Sequence, residues 1–194
     1  MMKEKKVEDC SGKLCTGYPQ IYPHIIEKAI NMCYNFYTKR KKRKDCERRD
    51  NMWYSATEIA KYIISQCLSL GKPVSNLKLQ KMMYFLWVDF YKQTGRRLFL
   101  DNICAWQLGP VVPEVYYEYC SYAGRPIQRA YTTNIGGEDG QIINRILADY
   151  VNVPANVLVD RTHENGSAWD CVYQNGAGNR NIIPFELIIK KEVG

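Results

Sequence analysis

Residues 55–95 read SATEIAKYIISQCLSLGKPVSNLKLQKMMYFLWVDFYKQTG, and this stretch decides the fold class. Ser55-Ala56-Thr57-Glu58 is a capping box. The Ser55 hydroxyl can take one orphan backbone N–H, and Glu58 can reach back to another. Ile59, Ile63 and Cys67, with Ala60, Ile64 and Leu68, then form one face at helical spacing. Gly71 and Pro73 stop that helix. A second helix starts near Ser75-Asn76, carries Leu79, Met83, Leu86 and Phe90 on one face, and ends at Gly95. Met82, Phe85 and Trp87 widen its apolar belt, so much of it must be buried.

Downstream, Leu98-Phe99-Leu100 and Ile103-Cys104-Ala105-Trp106 flank the polar pair Asp101-Asn102. That pattern predicts a small hairpin, broken by Gly109-Pro110. Pro113 opens a helix with Val115, Tyr116, Tyr119 and Tyr122, ending at Gly124. Residues 125–140 read as loop, with Gly136–Gly140 as a turn. Further helices are expected from Gln141 to about Val151, from Pro154 to about His163, after the Ser167 cap, and from Phe185 to Lys191. Ile182-Ile183 reads as a short strand.

Upstream, Ile25, Ala29, Cys33 and Tyr37, with Ile26, Ile30 and Tyr34 alongside, form the apolar face of one more helix. It runs into Lys39-Arg40-Lys41-Lys42-Arg43-Lys44, followed by Arg48 and Arg49. Residues 1–50 hold 13 basic against 7 acidic side chains, and the rest of the chain 14 against 13. The net charge of +7 therefore belongs to the first 50 residues. The expected organisation is a helical basic arm over 1–50 and a compact, mainly α (α+β) domain with a small β-hairpin over 51–194.

The 194 residues, 46% hydrophobic and 24% charged, suffice for a real core. The longest apolar run, Met82–Val88, is seven residues, far short of the roughly 18 that span a bilayer. No apolar stretch follows the charged first nine residues, so no secretory signal is expected. The eight cysteines then read as reduced thiols of a cytoplasmic protein.

Motifs for chemistry are sparse. No phosphate-cradling loop or nucleophile elbow is present. Cys10, Cys15, His24, Cys33 and Cys46 lack the paired spacing of a zinc site, so neither metal nor cofactor is expected. His163 stands alone in the domain. A Cys–His enzyme would need Cys104, Cys120 or Cys171 beside it, and the expectation is instead that His163 serves a helix end. Ser75, Asn76, Lys78 and Gln80 would head a recognition helix if the first two domain helices formed a helix-turn-helix; the alternative is an ordinary helical hairpin. The run Lys39–Lys44 with Arg48 and Arg49 would bind nucleic acid through phosphates, or else is a solvated helix end. The fifteen tyrosines and four tryptophans are divided between core and protein interface.

Three strings carry a resemblance. Leu77-Lys78-Leu79-Gln80-Lys81, then Ala105-Trp106-Gln107-Leu108-Gly109-Pro110-Val111-Val112-Pro113-Glu114-Val115-Tyr116, then Thr162-His163-Glu164 followed by Trp169 resemble the SocA-like antitoxin family. Its shared module is the Panacea domain, and many members are described as phage-associated proteins. The resemblance spans about Ser55 to Lys190. It implies a small, mostly helical fold with a short hairpin and no catalysis. It also implies direct binding of a protein toxin, in some members as an adaptor that hands the toxin to a bacterial protease. Trp106, Gly109, Pro110, Pro113, Tyr116, Thr162, His163 and Trp169 are then candidate partner-binding residues. Ile26, Ile30 and Tyr34 of the arm would add the toxin-specific contact.

Overall fold

A computed structural model describes residues 53–194. The arm residues singled out above lie outside the described residues: Ile26, Ile30, Tyr34, Lys39–Lys44, Arg48 and Arg49. So do Cys10, Cys15, His24, Cys33 and Cys46.

Helix α1 spans Ala56–Ser69 and α2 spans Asn76–Thr94. Both begin as the caps dictate: Ser55 Oγ accepts from the Glu58 N–H at 3.1 Å, and Ser75 Oγ from the Lys78 N–H. Gly95 closes α2 in the left-handed conformation (φ +67). Helix α2 is apolar over most of its circumference, so it runs through the centre of the domain. Leu79, Met82, Met83, Leu86 and Trp87 are fully buried on it, each contributing roughly 1.5–3 kcal/mol. The Trp87 indole also donates to the Phe99 carbonyl (3.1 Å) and stacks on Phe185.

Strands β1 (Cys104–Trp106) and β2 (Gly109–Val111) pair antiparallel. The hairpin thus lies one strand later than the sequence predicts, and its turn is Gln107-Leu108 rather than Asp101-Asn102. Gly109-Pro110 does not break it but forms its second strand. Ala105, the partner of Pro110, sends both of its backbone bonds away from β2, to Arg180 and Asn181. The missing N–H of Pro110 therefore costs the ladder nothing. Phe99 instead makes a single bridge to Tyr54, and Ile182 one to Cys104.

Helix α3 (Pro113–Tyr119) follows, with Pro113 in its first turn, and continues as a 3-10 turn at Cys120–Tyr122. The loop beyond it is strapped down: the Ile127 N–H donates to the Val74 carbonyl and the Tyr131 N–H to Ser65 Oγ. Helix α4 spans Gly137–Val151 and so begins inside the segment read as a turn. Glu138 and Asp139 in its first turn complement the helix dipole. Asp139 is further held by the Tyr54 hydroxyl and Arg96. Helices α5 (Ala155–Thr162), α6 (Ala168–Tyr173) and α7 (Phe185–Ile188) complete the domain, with a π-helical turn at Ile189–Val193. The result is mainly helical, with one small hairpin. No helix among the described residues is long and apolar enough to cross a membrane.

Candidate functional site

The start of α2 spends its polar side chains inward. Asn76 Nδ2 donates to the Tyr116 carbonyl (3.0 Å). Gln80 Nε2 donates to Asn76 Oδ1 (3.2 Å), and Gln80 Oε1 accepts from the Val112 N–H (2.9 Å). Lys78 Nζ donates to the Val151 carbonyl at 2.7 Å. Asn76 and Gln80 are buried. These side chains are committed to the fold, so α2 is not a DNA-reading helix, because a recognition helix needs them on the surface. The pair α1–α2 is a helical hairpin.

One turn on, Lys81 is completely buried and donates to the Pro110 carbonyl at 2.9 Å. Burial pushes its ammonium down to about pKa 7. Gly109 (φ +99) sits directly against it: a Cβ there would overlap Thr162 Oγ1 and Lys81 Nζ. Only glycine meets both demands. Thr162 is buried at the end of α5, its hydroxyl donating to the Val159 carbonyl (2.7 Å). His163 follows as the cap, its backbone N–H reaching Val159 and Asp160. The backbone makes that cap, while the imidazole Nε2 is buried with no hydrogen-bond partner among the described residues. Desolvation, then the nearby Lys81 charge, lowers the His163 pKa.

The His163 ring stacks on Trp169 at 4.0 Å, and Trp169 stacks on Tyr173 at 4.6 Å. Trp169 Nε1 donates to the Trp106 carbonyl (2.8 Å), tying α6 to the end of β1. The Trp106 ring meets Tyr116 at 4.8 Å and Tyr117 at 6.2 Å. The eight motif residues of the domain therefore converge on one corner, where the hairpin meets α2, α3, α5 and α6. The Cys120 and Cys171 thiols turn to carbonyls, of Tyr117 and Gly166, and Cys104 is buried. Among the described residues, no group of three or more His, Cys, Asp or Glu could hold a metal ion. A surface cleft of about 560 Å³, lined by Gln93, Thr94, Arg96, Glu138, Asp139 and Ile142, involves none of the motif residues.

Sequence reasoning missed two sets of residues. Gln80 stood in the quoted strings with only a DNA-reading role and Lys81 with none, although a lysine between Leu79 and Met82-Met83 is itself a signal. Leu108, Arg180 and Ile182 gave none, because their proximity depends on pairing between β1 and a segment 70-odd residues later.

Residues 79–170 match the family described as Antitoxin SocA-like, Panacea domain. The chain is 33% identical over 145 residues to Antitoxin SocA of Caulobacter vibrioides (strain NA1000 / CB15N). That similarity covers 67% of this chain and 76% of the relative. No solved structure matches it. The shared strings, their convergence on one corner and the similarity along two thirds of the sequence agree: the chain belongs to the SocA-like antitoxin family.

Proposed function

We propose that this chain is an antitoxin that performs no catalysis and neutralises a toxic protein by binding it directly. The observation that carries the reading is the similarity to Antitoxin SocA across most of both chains. In the same reading, residues 51–194 are the Panacea domain, and residues 1–50 are a separate basic arm that adds toxin-specific contact through Ile26, Ile30 and Tyr34. The bound toxin passes to a bacterial protease, so that the chain works as a proteolytic adaptor. It acts in the cytoplasm of a bacterium carrying phage-derived genes and needs no cofactor. The hydrogen-bonded corner supports a scaffold role for the family strings, since Gln80, Lys81 and Thr162 face inward.

Co-expression tests this. The open reading frame beside this gene should arrest growth alone, and this chain should restore it. Growth arrest that the chain fails to relieve contradicts the reading. If the adaptor step operates, the toxin's half-life shortens when the chain is present and recovers when the protease is deleted.

A second reading rests on the charge of residues 1–50, 13 basic against 7 acidic. Here Lys39–Lys44, Arg48 and Arg49 bind nucleic acid. Affinity should then fall steeply with salt and vanish on deleting residues 39–49. Growth rescue that survives this deletion would set it aside.

A further inference from the structure

Lys81 is a completely buried amine with a single acceptor, the Pro110 carbonyl at 2.9 Å. Among the described residues no carboxylate forms an ion pair with it. An ammonium has three N–H donors and needs an acceptor for each. Charged in place, Lys81 would leave the others buried without partners, which is costly.

The elements packed around it offer no counter-charge. From β2, Gly109 lies so close that an added Cβ would sit 2.5 Å from Nζ. From α5 come Thr162, whose hydroxyl donates to the Val159 carbonyl, and His163, itself basic, with Nε2 buried and unpartnered among the described residues. Asp160 of α5 favours the charged form of His163, while burial alone acts on Lys81 and holds its amine at about 7. On α2, one turn to either side, Lys78 donates to the Val151 carbonyl and Tyr84 to Glu192. From α6, the uncharged Trp169 stacks on His163.

The same amine fastens a strand. Pro110 has no N–H, and Ala105 opposite it bonds to Arg180 and Asn181 instead. Pro110 is therefore held by the Lys81 bond, and β2 is tied again to α2 two residues on, where the Val112 N–H meets Gln80. Just before β2 the turn is exposed at Leu108.

We infer that Lys81 is a proton-operated catch: its neutral amine closes β2 onto α2, and when Nζ takes up a proton from water the corner opens, the ammonium becomes hydrated and the turn bearing Leu108 and Gly109 is released. The opening is local, because β2 is three residues long while Leu79, Met83 and Leu86 keep α2 packed. Opening consumes a proton wherever the closed amine is neutral and the open one charged, between about 7 and the ordinary 10.5. Across that window each unit fall in pH should make opening about tenfold more frequent, and below about 7 the effect levels off. The inference does not depend on the antitoxin reading.

Amide exchange of the full chain between pH 7 and 9, corrected for the intrinsic rate and repeated in low urea, tests the catch. The Val112 amide should exchange through an opening that urea barely changes, about tenfold more often at pH 7.5 than at pH 8.5. The amides of Met83 and Leu86 should exchange only through urea-sensitive unfolding. Lys81→Met cannot take up the proton, so its Val112 exchange should lose the pH dependence. A Val112 amide as urea-sensitive as those of α2, or one indifferent to pH, overturns the catch, and the unaltered chain decides this even if Lys81→Met does not fold. Dependence on pH that persists in Lys81→Met also overturns it and passes the proton to another group, His163 first.

Discussion

The corner behind the hairpin and the hairpin's exposed turn are built on opposite principles. The corner is closed: Lys81, Thr162 and Gly109 leave no room for one methyl group, and nearby Gln80 and Asn76 are committed to hydrogen bonds inside the fold. The turn is open: Leu108 is exposed there, one residue before Gly109. The difference shows that residues adjacent in one family string meet very different surroundings. Gly109, Pro110 and Thr162 pack into the corner, Trp106 is half-buried with its Nε1 enclosed, and Leu108 in the same string is exposed.

The largest effect should come from Gly109→Ala, which forces a Cβ onto Thr162 and Lys81 at an unfavourable φ. We expect a loss of about 2–4 kcal/mol, read as a fall in melting temperature of roughly 5–15 °C. A near-neutral result would break the distinction, because the corner would then tolerate change as the exposed turn does. Gln80→Leu should cost about 2 kcal/mol by stranding the buried Val112 N–H, measurable by urea unfolding.

Next is pH. Folding holds the Lys81 amine well below its ordinary 10.5, at about 7. Unfolding therefore takes up a proton across that window, so stability rises as pH climbs from about 7 towards 9, on the order of 1 kcal/mol or more. His163, also lowered, acts with the same sign below its ordinary 6.5. Above about pH 10 the trend reverses, because Tyr54, Tyr84, Tyr119 and Tyr150 are raised by burial and resist ionisation in the folded state. Lys81→Met should flatten the rise; an unchanged profile would mean that the amine does not titrate there. Smaller still, Trp169→Phe should cost about 1 kcal/mol through its lost bond to the Trp106 carbonyl. Arg180→Gly should change stability least, leaving it equal or up to about 1 kcal/mol higher. A marked loss would mean that Arg180 belongs to the inner scaffold.

Local rules made much of this fold legible. Ser55, Ser75 and Ser167 cap helices because their hydroxyls satisfy orphan N–H groups within three residues. The wide apolar belt of α2 foretold its central position. What failed depended on distant chain. Gly109-Pro110 reads as a breaker until Asn181 takes the Ala105 N–H. Gly137 reads as a turn until Tyr54 and Arg96 anchor Asp139 in the first turn of α4. The domain's motif residues were legible as a set, but which face of the ribbon each occupies was not. That follows from strand register, and for Arg180 from a bulge with no residue signature.

Hydrogen–deuterium exchange of the full chain, alone and saturated with the protein encoded beside it, tests the central claim most directly. The account predicts new protection at Leu108 and Ile182, both exposed in the free chain. It predicts no change at Val112 and Ile183, whose amides are already bonded to Gln80 and Ile103. New protection confined to residues 1–50, or to the Arg96–Asp139 cleft, would contradict it.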